Sequence, residues 1–429
     1  MEYFLLFLIV VFALVIAITL FNEKVTKLPN EIALLTLSLI VGIILSFFVN
    51  SDVITLSPMV MNTLTTFRID KVLMDALLCF MLFTGASELK LPELVNNVRP
   101  ICFLAFLTTL ITSALYGLLF WGITSLLGLN IGFTLCFLLG TIVSPTDPIA
   151  ATGILNKLGL SKNVTAVMEG ESLFNDGTGV AVFIFIKELY LDTKGSNFLT
   201  VMVRELCGAL VVGLGVSALC FLLIKMTKDP IKHIVISMLA VATSYLICEE
   251  CQFSGVIASV VCGIYFSTMM DKYKAANLDM DPNDYYKDFW KVIDTLLNYI
   301  LYVLIGLSFV FVIRIKYFIV ITIAAIVFNV LARYVGVLIA TLASRQLPDG
   351  YKIRPFTLLM TWSGLKGGLC LALAMSAADF LPNHVYELVL YVTYITILFS
   401  TIVQGLTVGK LFRGLQKKYD MKPQEESKA

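Results

Sequence analysis

Apolar runs of the length that crosses a hydrocarbon layer, about 20 residues, recur along the whole chain. They fall near residues 3 to 21, 31 to 49, 71 to 87, 101 to 127, 131 to 156, 164 to 186 and 198 to 224. Six more lie near 233 to 248, 254 to 270, 292 to 312, 318 to 343, 355 to 379 and 386 to 409. The pattern predicts an all-α polytopic membrane protein with about thirteen transmembrane helices. The first run, YFLLFLIVVFALVIAITLF, follows Met1 with no basic segment and no small-residue cleavage site, which predicts a retained span rather than a signal peptide.

The polar residues between the runs give the orientation. Loops after odd-numbered spans, together with the C-terminal end, hold 22 Lys and Arg. The opposite loops hold six: Arg68, Lys71, Lys187, Lys194, Arg314 and Lys316. The positive-inside rule then places the C-terminus in the cytoplasm, and an odd number of spans places Met1 outside. Three basic residues remain within the spans. Arg204 stands beside Glu205 near a span end, where a paired or snorkelling charge is expected; Arg333 and Lys366 lie deeper. The longest polar segments are 271 to 291 and the tail after Leu411, so no separate soluble domain is expected. Residues 1–414 read as one transmembrane domain, and 415–429 as a short, charged, disordered cytoplasmic tail.

Composition agrees with lipid as the solvent: 59% of residues are hydrophobic and 14% charged, well below the charge density of soluble domains. A net charge of +1 offers no basic stripe for nucleic acid. The nine cysteines are mostly in apolar stretches and imply no disulfide framework. Cys248 and Cys251 have a redox or zinc spacing but no second pair to complete a site, so no cofactor is expected.

Two runs are interrupted. The fifth contains GTIVSPTDPIAATG, in which Pro145 and Pro148 each remove a backbone donor and displace the carbonyl four residues earlier. That backbone should open, and open backbone at membrane depth is tolerated only inside protein or beside a wet cavity, where it offers oxygen to ions. Between the prolines sits Asp147, an intramembrane carboxylate that costs about 2.5 to 3.5 kcal/mol even on the gentler insertion scale. The twelfth run contains TWSGLKGGLCLALA, with Gly364, Gly367 and Gly368 around Lys366. Interrupted spans at corresponding places in two halves point to an inverted repeat, here about 3–190 and 231–414 linked by the span 198–224, with two discontinuous crossing helices.

The sixth run opens with VMEGESLFNDGTG, which places Glu169, Glu171, Ser172, Asn175 and Asp176 within two helical turns. Ser172 and Asp176 are four apart and share a face. Glu171 and Asp176 are five apart, roughly 140° around the helix, and so need different partners. Asp176 is expected to face the opened fifth span, joining Asp147 and a carbonyl near Thr146, while Glu171 pairs with Arg333. Glu169 is read as lying at the cytoplasmic mouth. Such oxygen ligands suit a hard cation such as sodium or lithium. A carboxylate that binds a cation can equally bind a proton, so competition for one site would couple the two ions.

At TDP in the fifth span and ESLFNDG in the sixth the sequence resembles cation/proton antiporter family one, the bacterial NhaP-type antiporters and their animal and plant sodium/proton exchanger relatives. The resemblance extends over essentially the whole transmembrane chain, including RYVGV in the eleventh span and SGLKGG in the twelfth. It implies a homodimer in the cell membrane, an elevator-like movement of the ion-carrying bundle, and antiport of a monovalent cation and a proton in pH homeostasis. By that similarity Thr146 contributes its carbonyl, Asp147 and Ser172 stand at or near the sodium ion, and Asp176 is the principal carrier. Asn175 sits where electrogenic relatives have a second aspartate, which implies one-for-one, electroneutral exchange. Glu171 and Arg333 match a buried structural ion pair.

Two positions depart from the family pattern. Many members have a glutamate in a phrase like FEG on the third span, where this chain reads LFTG and places Thr84, with Glu88 one turn on as a further candidate. The twelfth span usually carries arginine where Lys366 stands, which keeps the charge but loses the planar fork. A potassium/proton antiporter of the same family is the nearest alternative. From other classes, a passive cation channel and an intramembrane aspartyl enzyme would also use buried carboxylates. The flanking prolines fit an ion-binding break better than an acid/base dyad, so no enzyme is expected.

Overall fold

Helix follows helix along the computed structural model, which describes residues 2–50, 77–192, 197–276, 285–307 and 317–419. The principal helices are α1 (Glu2–Phe21), α2 (Asn30–Asn50), α3 (Cys79–Glu88), α4 (Val98–Leu126), α5 (Phe133–Val143), α6 (Ile149–Asn156), α7 (Lys162–Tyr190) and α8 (Phe198–Ile224). They continue with α9 (Pro230–Glu250), α10 (Gly255–Ala276), α11 (Tyr285–Leu307), α12 (Phe318–Ser344), α13 (Ile353–Ser363), α14 (Gly368–Ser376) and α15 (Asn383–Tyr419). Among the described residues the only strand-like pairing is one antiparallel bridge, between Asp147 and Leu365.

Seven helices among the described residues are long and apolar enough to cross a membrane, with shorter apolar helices between them. Their outward faces are hydrophobic: Leu199, Val211 and Leu219 on α8 and Ile319, Ile323 and Val327 on α12 are exposed. Buried positions, in contrast, include Thr109, Thr112, Ser113 and Thr141. Apolar groups outside and small polar groups inside are the arrangement a bilayer favours, because each hydroxyl must find its acceptor within the protein. Those of Thr109 and Ser113 donate to carbonyls four residues back, at 2.7 Å each. Where α4 meets α5 the backbones nearly touch. A Cβ on Gly140 would lie 2.2 Å from the Ser113 carbonyl oxygen, and one on Gly117 2.7 Å from the Phe137 Cα, so only glycine fits.

Helix extends further into two polar segments than their sequence suggests. In the expected connection 271–291, α10 continues to Ala276 and α11 begins at Tyr285. Trp290 explains the early start: it is buried against Phe83, ring centroids 4.6 Å apart, and donates its indole N–H to Ser237 at 3.1 Å. At the C-terminal end, α15 runs through Tyr419 instead of ending near 409. Val408, Phe412 and Leu415 lie on one face of it and share a buried cluster with Ala151, Leu155 and Leu359, so apolar packing carries the helix into the charged stretch. Residues 420–429, the start of the third predicted span, and Arg68, Lys71, Lys194, Arg314 and Lys316 lie outside the described residues.

Candidate ion-binding site

Both expected interruptions are present, and they lie against each other. Between α5 and α6 the backbone leaves the helix over residues 144–148, and between α13 and α14 over 364–367. The Asp147 amide donates to the Leu365 carbonyl at 2.8 Å, which forms the single bridge. Side chains satisfy most of what the prolines and glycines release. The Lys366 ammonium donates to the carbonyls of Ser144 at 3.0 Å and Pro145 at 3.2 Å. The Ser400 hydroxyl accepts from the Lys366 amide at 3.0 Å. Open backbone is thereby tolerated at depth, as an apolar surrounding requires. Lys366, a candidate for the ion site by sequence, thus contacts the broken backbone of α5.

The glycines of SGLKGG make room for the site. A Cβ on Gly364 would lie 2.8 Å from Arg333 Nε, and one on Gly367 would lie 2.7 Å from the Asp147 Cβ and 2.8 Å from its Oδ2. These contacts account for small residues on both sides of Lys366.

Helix α7 is started by Ser161, whose hydroxyl accepts from the Val164 amide at 3.2 Å. It divides its polar residues between two surroundings. Glu171 and Arg333 are both 2% exposed and form a two-pronged pair, Nη1 to Oε1 at 2.8 Å and Nη2 to Oε2 at 3.1 Å. Asn175 ties this pair to the break: its Nδ2 donates to Glu171 Oε1 at 2.8 Å and to Thr146 Oγ1 at 2.7 Å, and its Oδ1 accepts from the Thr146 amide at 3.3 Å. The Ser172 hydroxyl donates to the Thr146 carbonyl. Thr146, Ser172 and Asn175 therefore form one hydrogen-bonded group.

Asp147 and Asp176 face a common cavity of about 160 Å³ that is also lined by Thr146, Ser172, Glu169 and Glu88. Their carboxylates differ in engagement. Asp147 Oδ1 accepts from the Ile149 amide at 3.0 Å, opening α6, and Oδ2 accepts from the Tyr302 hydroxyl at 3.1 Å. Among the described residues none donates a hydrogen bond to the Asp176 side chain. Glu169, read by sequence at the mouth of its span, is part of the cavity wall.

Three contributors were missed by sequence reasoning: Asp294, Asn298 and Tyr302 of α11. Asp294 lines the cavity and accepts from Thr84 Oγ1 at 2.6 Å and Asn298 Nδ2 at 3.1 Å. The signal was available, because polar residues spaced four apart on a membrane helix form a stripe. Arg204, expected to pair near a span end, donates to Glu205 at 3.1 Å and Glu188 at 3.4 Å.

A helical membrane body with two touching breaks and a carboxylate-lined cavity defines the class of a polytopic ion transporter. The family model described as sodium/hydrogen exchanger, transmembrane, matches residues 6–414, and the chain belongs to that family, whose members are transporters and not enzymes. The Na(+)/H(+) antiporter NhaP of Pseudomonas aeruginosa is 30% identical, the match covering 97% of each chain. The Na(+)/H(+) antiporter NhaH of Halobacillus aidingensis is also 30% identical, over 95% of this chain and 98% of its own. The fold is similar to that of the sodium proton antiporter MjNhaP1 from Methanocaldococcus jannaschii, with a TM-score of 0.75 and 22% identity over 96% of this chain and 99% of that one.

Proposed function

We propose that this chain exchanges sodium, or lithium, for protons across the cell membrane, one for one, by competition of the two ions for Asp176. The observation that carries the reading is the cavity-facing Asp176 carboxylate, to which no described residue donates, beside an Asp147 whose two oxygens are already held. A carboxylate without protein donors has its lone pairs available to a cation or a proton in turn. Asp147, Thr146 and Ser172 complete the oxygen-rich surroundings suited to a hard cation. The neutral Asn175, bound to Thr146 and Glu171, adds no second titrating carboxylate, which supports electroneutral exchange.

The architecture belongs to the same reading. In this reading the protein has thirteen spans, with α5 and α6 and likewise α13 and α14 each taken as one discontinuous, crossing helix, arranged as inverted repeats over about 3–190 and 231–414 with α8 between them. The N-terminus lies outside and the C-terminus in the cytoplasm, and residues 1–414 form the transporting domain of a homodimer. Glu88, Glu169 and Asp294 line the cavity close in sequence to Lys90, Lys162 and Lys291, so the cavity opens toward the cytoplasm.

The test is a pH-gradient assay in proteoliposomes. Sodium addition dissipates an imposed gradient with no need for a membrane potential, and Asp176→Asn abolishes the response. Intact exchange in that variant would remove Asp176 from the mechanism. Sodium flux driven by voltage without proton movement would identify a channel instead.

A further inference from the structure

Helix α11 presents Asp294, Asn298 and Tyr302 at intervals of four, one stripe along its length. At the inner end of the stripe Tyr302 is 2% exposed and donates to Asp147. At the outer end Asp294 lines the same cavity as Asp147 and Asp176. Its neighbours hold it by neutral donors alone: the Thr84 hydroxyl on Oδ1 at 2.6 Å and the Asn298 amide on Oδ2 at 3.1 Å. No Lys or Arg among the described residues pairs with it. A structural carboxylate inside the protein is normally balanced by a cation of the protein, as the buried Glu171 is by Arg333, whereas the half-buried Asp294 faces the cavity. Asp294 is fixed in direction yet left unbalanced. Beside it, the 3% exposed Asn298 keeps a second hard oxygen, Oδ1, with no hydrogen-bond partner among the described residues.

We propose that Asp294 is a further cation-binding residue of this transporter, a carboxylate on α11 positioned by Thr84 and Asn298 that takes up the monovalent cation in the cavity and passes it to Asp176. The proposal rests on the exchange reading above. It also accounts for the unusual Thr84, because a hydroxyl on α3 orients a carboxylate that comes from α11. The competing explanation is a hydrogen-bonded staple between α3 and α11 with no part in ion binding.

The experiment measures initial rates of sodium/proton exchange in proteoliposomes over a sodium series at fixed pH. Asp294→Asn keeps the size and one of the two acceptor oxygens, and it is expected to raise the sodium KM about tenfold with the maximal rate within about twofold, the pattern of lost cation binding. Thr84→Val, which removes only the positioning donor, is expected to raise KM about threefold. Combining Thr84→Glu with Asp294→Asn carries the carboxylate across the 2.6 Å contact and is expected to bring KM back to within about twofold of the starting protein. A KM unchanged in Asp294→Asn overturns the proposal. So does a maximal rate and thermal stability that fall together at constant KM, which is the signature of the staple. Should Asp294→Asn fail to fold, an unchanged KM in Thr84→Val overturns it equally. A starting protein that moves no protons against sodium, or an active Asp176→Asn, refutes the exchange reading itself, whereas an ineffective Asp294→Asn in an active protein refutes only the role of Asp294.

Discussion

Both oxygens of Asp147 are occupied, by the Ile149 amide and the Tyr302 hydroxyl, while Asp176 receives no hydrogen bond from the described residues. Under the proposed exchange, engagement of this kind gives the two aspartates different work, since a carboxylate that caps a helix cannot give up its donors at every cycle without opening α6. Glu171 is a third case. Its bidentate contact with Arg333 leaves neither charge uncompensated, so removing one partner alone is expensive. Arg333→Ala is expected to lose about 3–5 kcal/mol of stability, seen as a lowered unfolding temperature in detergent, and Glu171→Gln combined with Arg333→Gln is expected to recover most of it. If the double variant is no more stable than Arg333→Ala, the pair is not what holds these helices. Asn175→Asp tests the neighbouring position. It would set a carboxylate where an amide now donates to Glu171 at 2.8 Å, so the expected outcome is loss of stability by about 1–3 kcal/mol and not a gain of voltage-driven exchange. Currents driven by membrane potential in a stable Asn175→Asp protein would show that this residue alone sets the stoichiometry.

Two broken elements meet at one bridge, and each supplies what the other lacks. The α13–α14 break carries Lys366, whose ammonium occupies the Ser144 and Pro145 carbonyls freed near the prolines of the α5–α6 break. Lys366→Met leaves the Ser144 carbonyl buried and unpaired and the Pro145 carbonyl with the Cys370 thiol alone, at a cost of ~2 kcal/mol or more, and is expected to lower the unfolding temperature even with sodium present. Gly367→Ala addresses the approach of the two breaks: the added methyl would sit 2.7 Å from the Asp147 Cβ, an atom too close to the main chain to swing away. Exchange is expected to be lost there, while Gly153→Ala on α6, where a Cβ meets nothing within 4 Å, should transport normally. Equal activity of the two would mean that the breaks need not touch during transport. The sequence made these elements legible because their causes are local: Pro145, Pro148 and the three glycines act on their own backbone. Glu171 and Arg333, 162 residues apart, were also legible, as opposite charges inside apolar runs with few other partners. The role of α11 was hidden for the opposite reason. Asp294 and Tyr302 acquire meaning only from Thr84 and Asp147, 210 and 155 residues away, and a polar stripe alone does not name its partner. The start of α11 was hidden too, since Lys287 and Lys291 mask an apolar anchor at Trp290 that packs only in three dimensions.

Apolar side chains face outward and many hydroxyls inward among the described residues, the arrangement suited to lipid, and transport by such a body is constrained by thermodynamics before any detail of movement. If one sodium and one proton compete for Asp176 and no other group changes charge, each cycle moves no net charge. Flux must then stop when the sodium ratio equals the proton ratio, and one pH unit, about 1.36 kcal/mol, balances about a tenfold sodium gradient. Proteoliposomes with a fixed tenfold sodium gradient should therefore show zero proton flux near a pH difference of about one unit, and clamping the membrane potential with a potassium ionophore should leave this null point in place. An exchanger moving two protons per sodium would instead balance at about half a unit without potential and shift when the clamp is changed. The null point reads stoichiometry independently of rate, so it also judges the α11 proposal from outside: Asp294→Asn alters uptake of the cation and should leave the null point fixed. A shift in that variant would mean that Asp294 carries a transported proton, a role different from the cation transfer inferred for it.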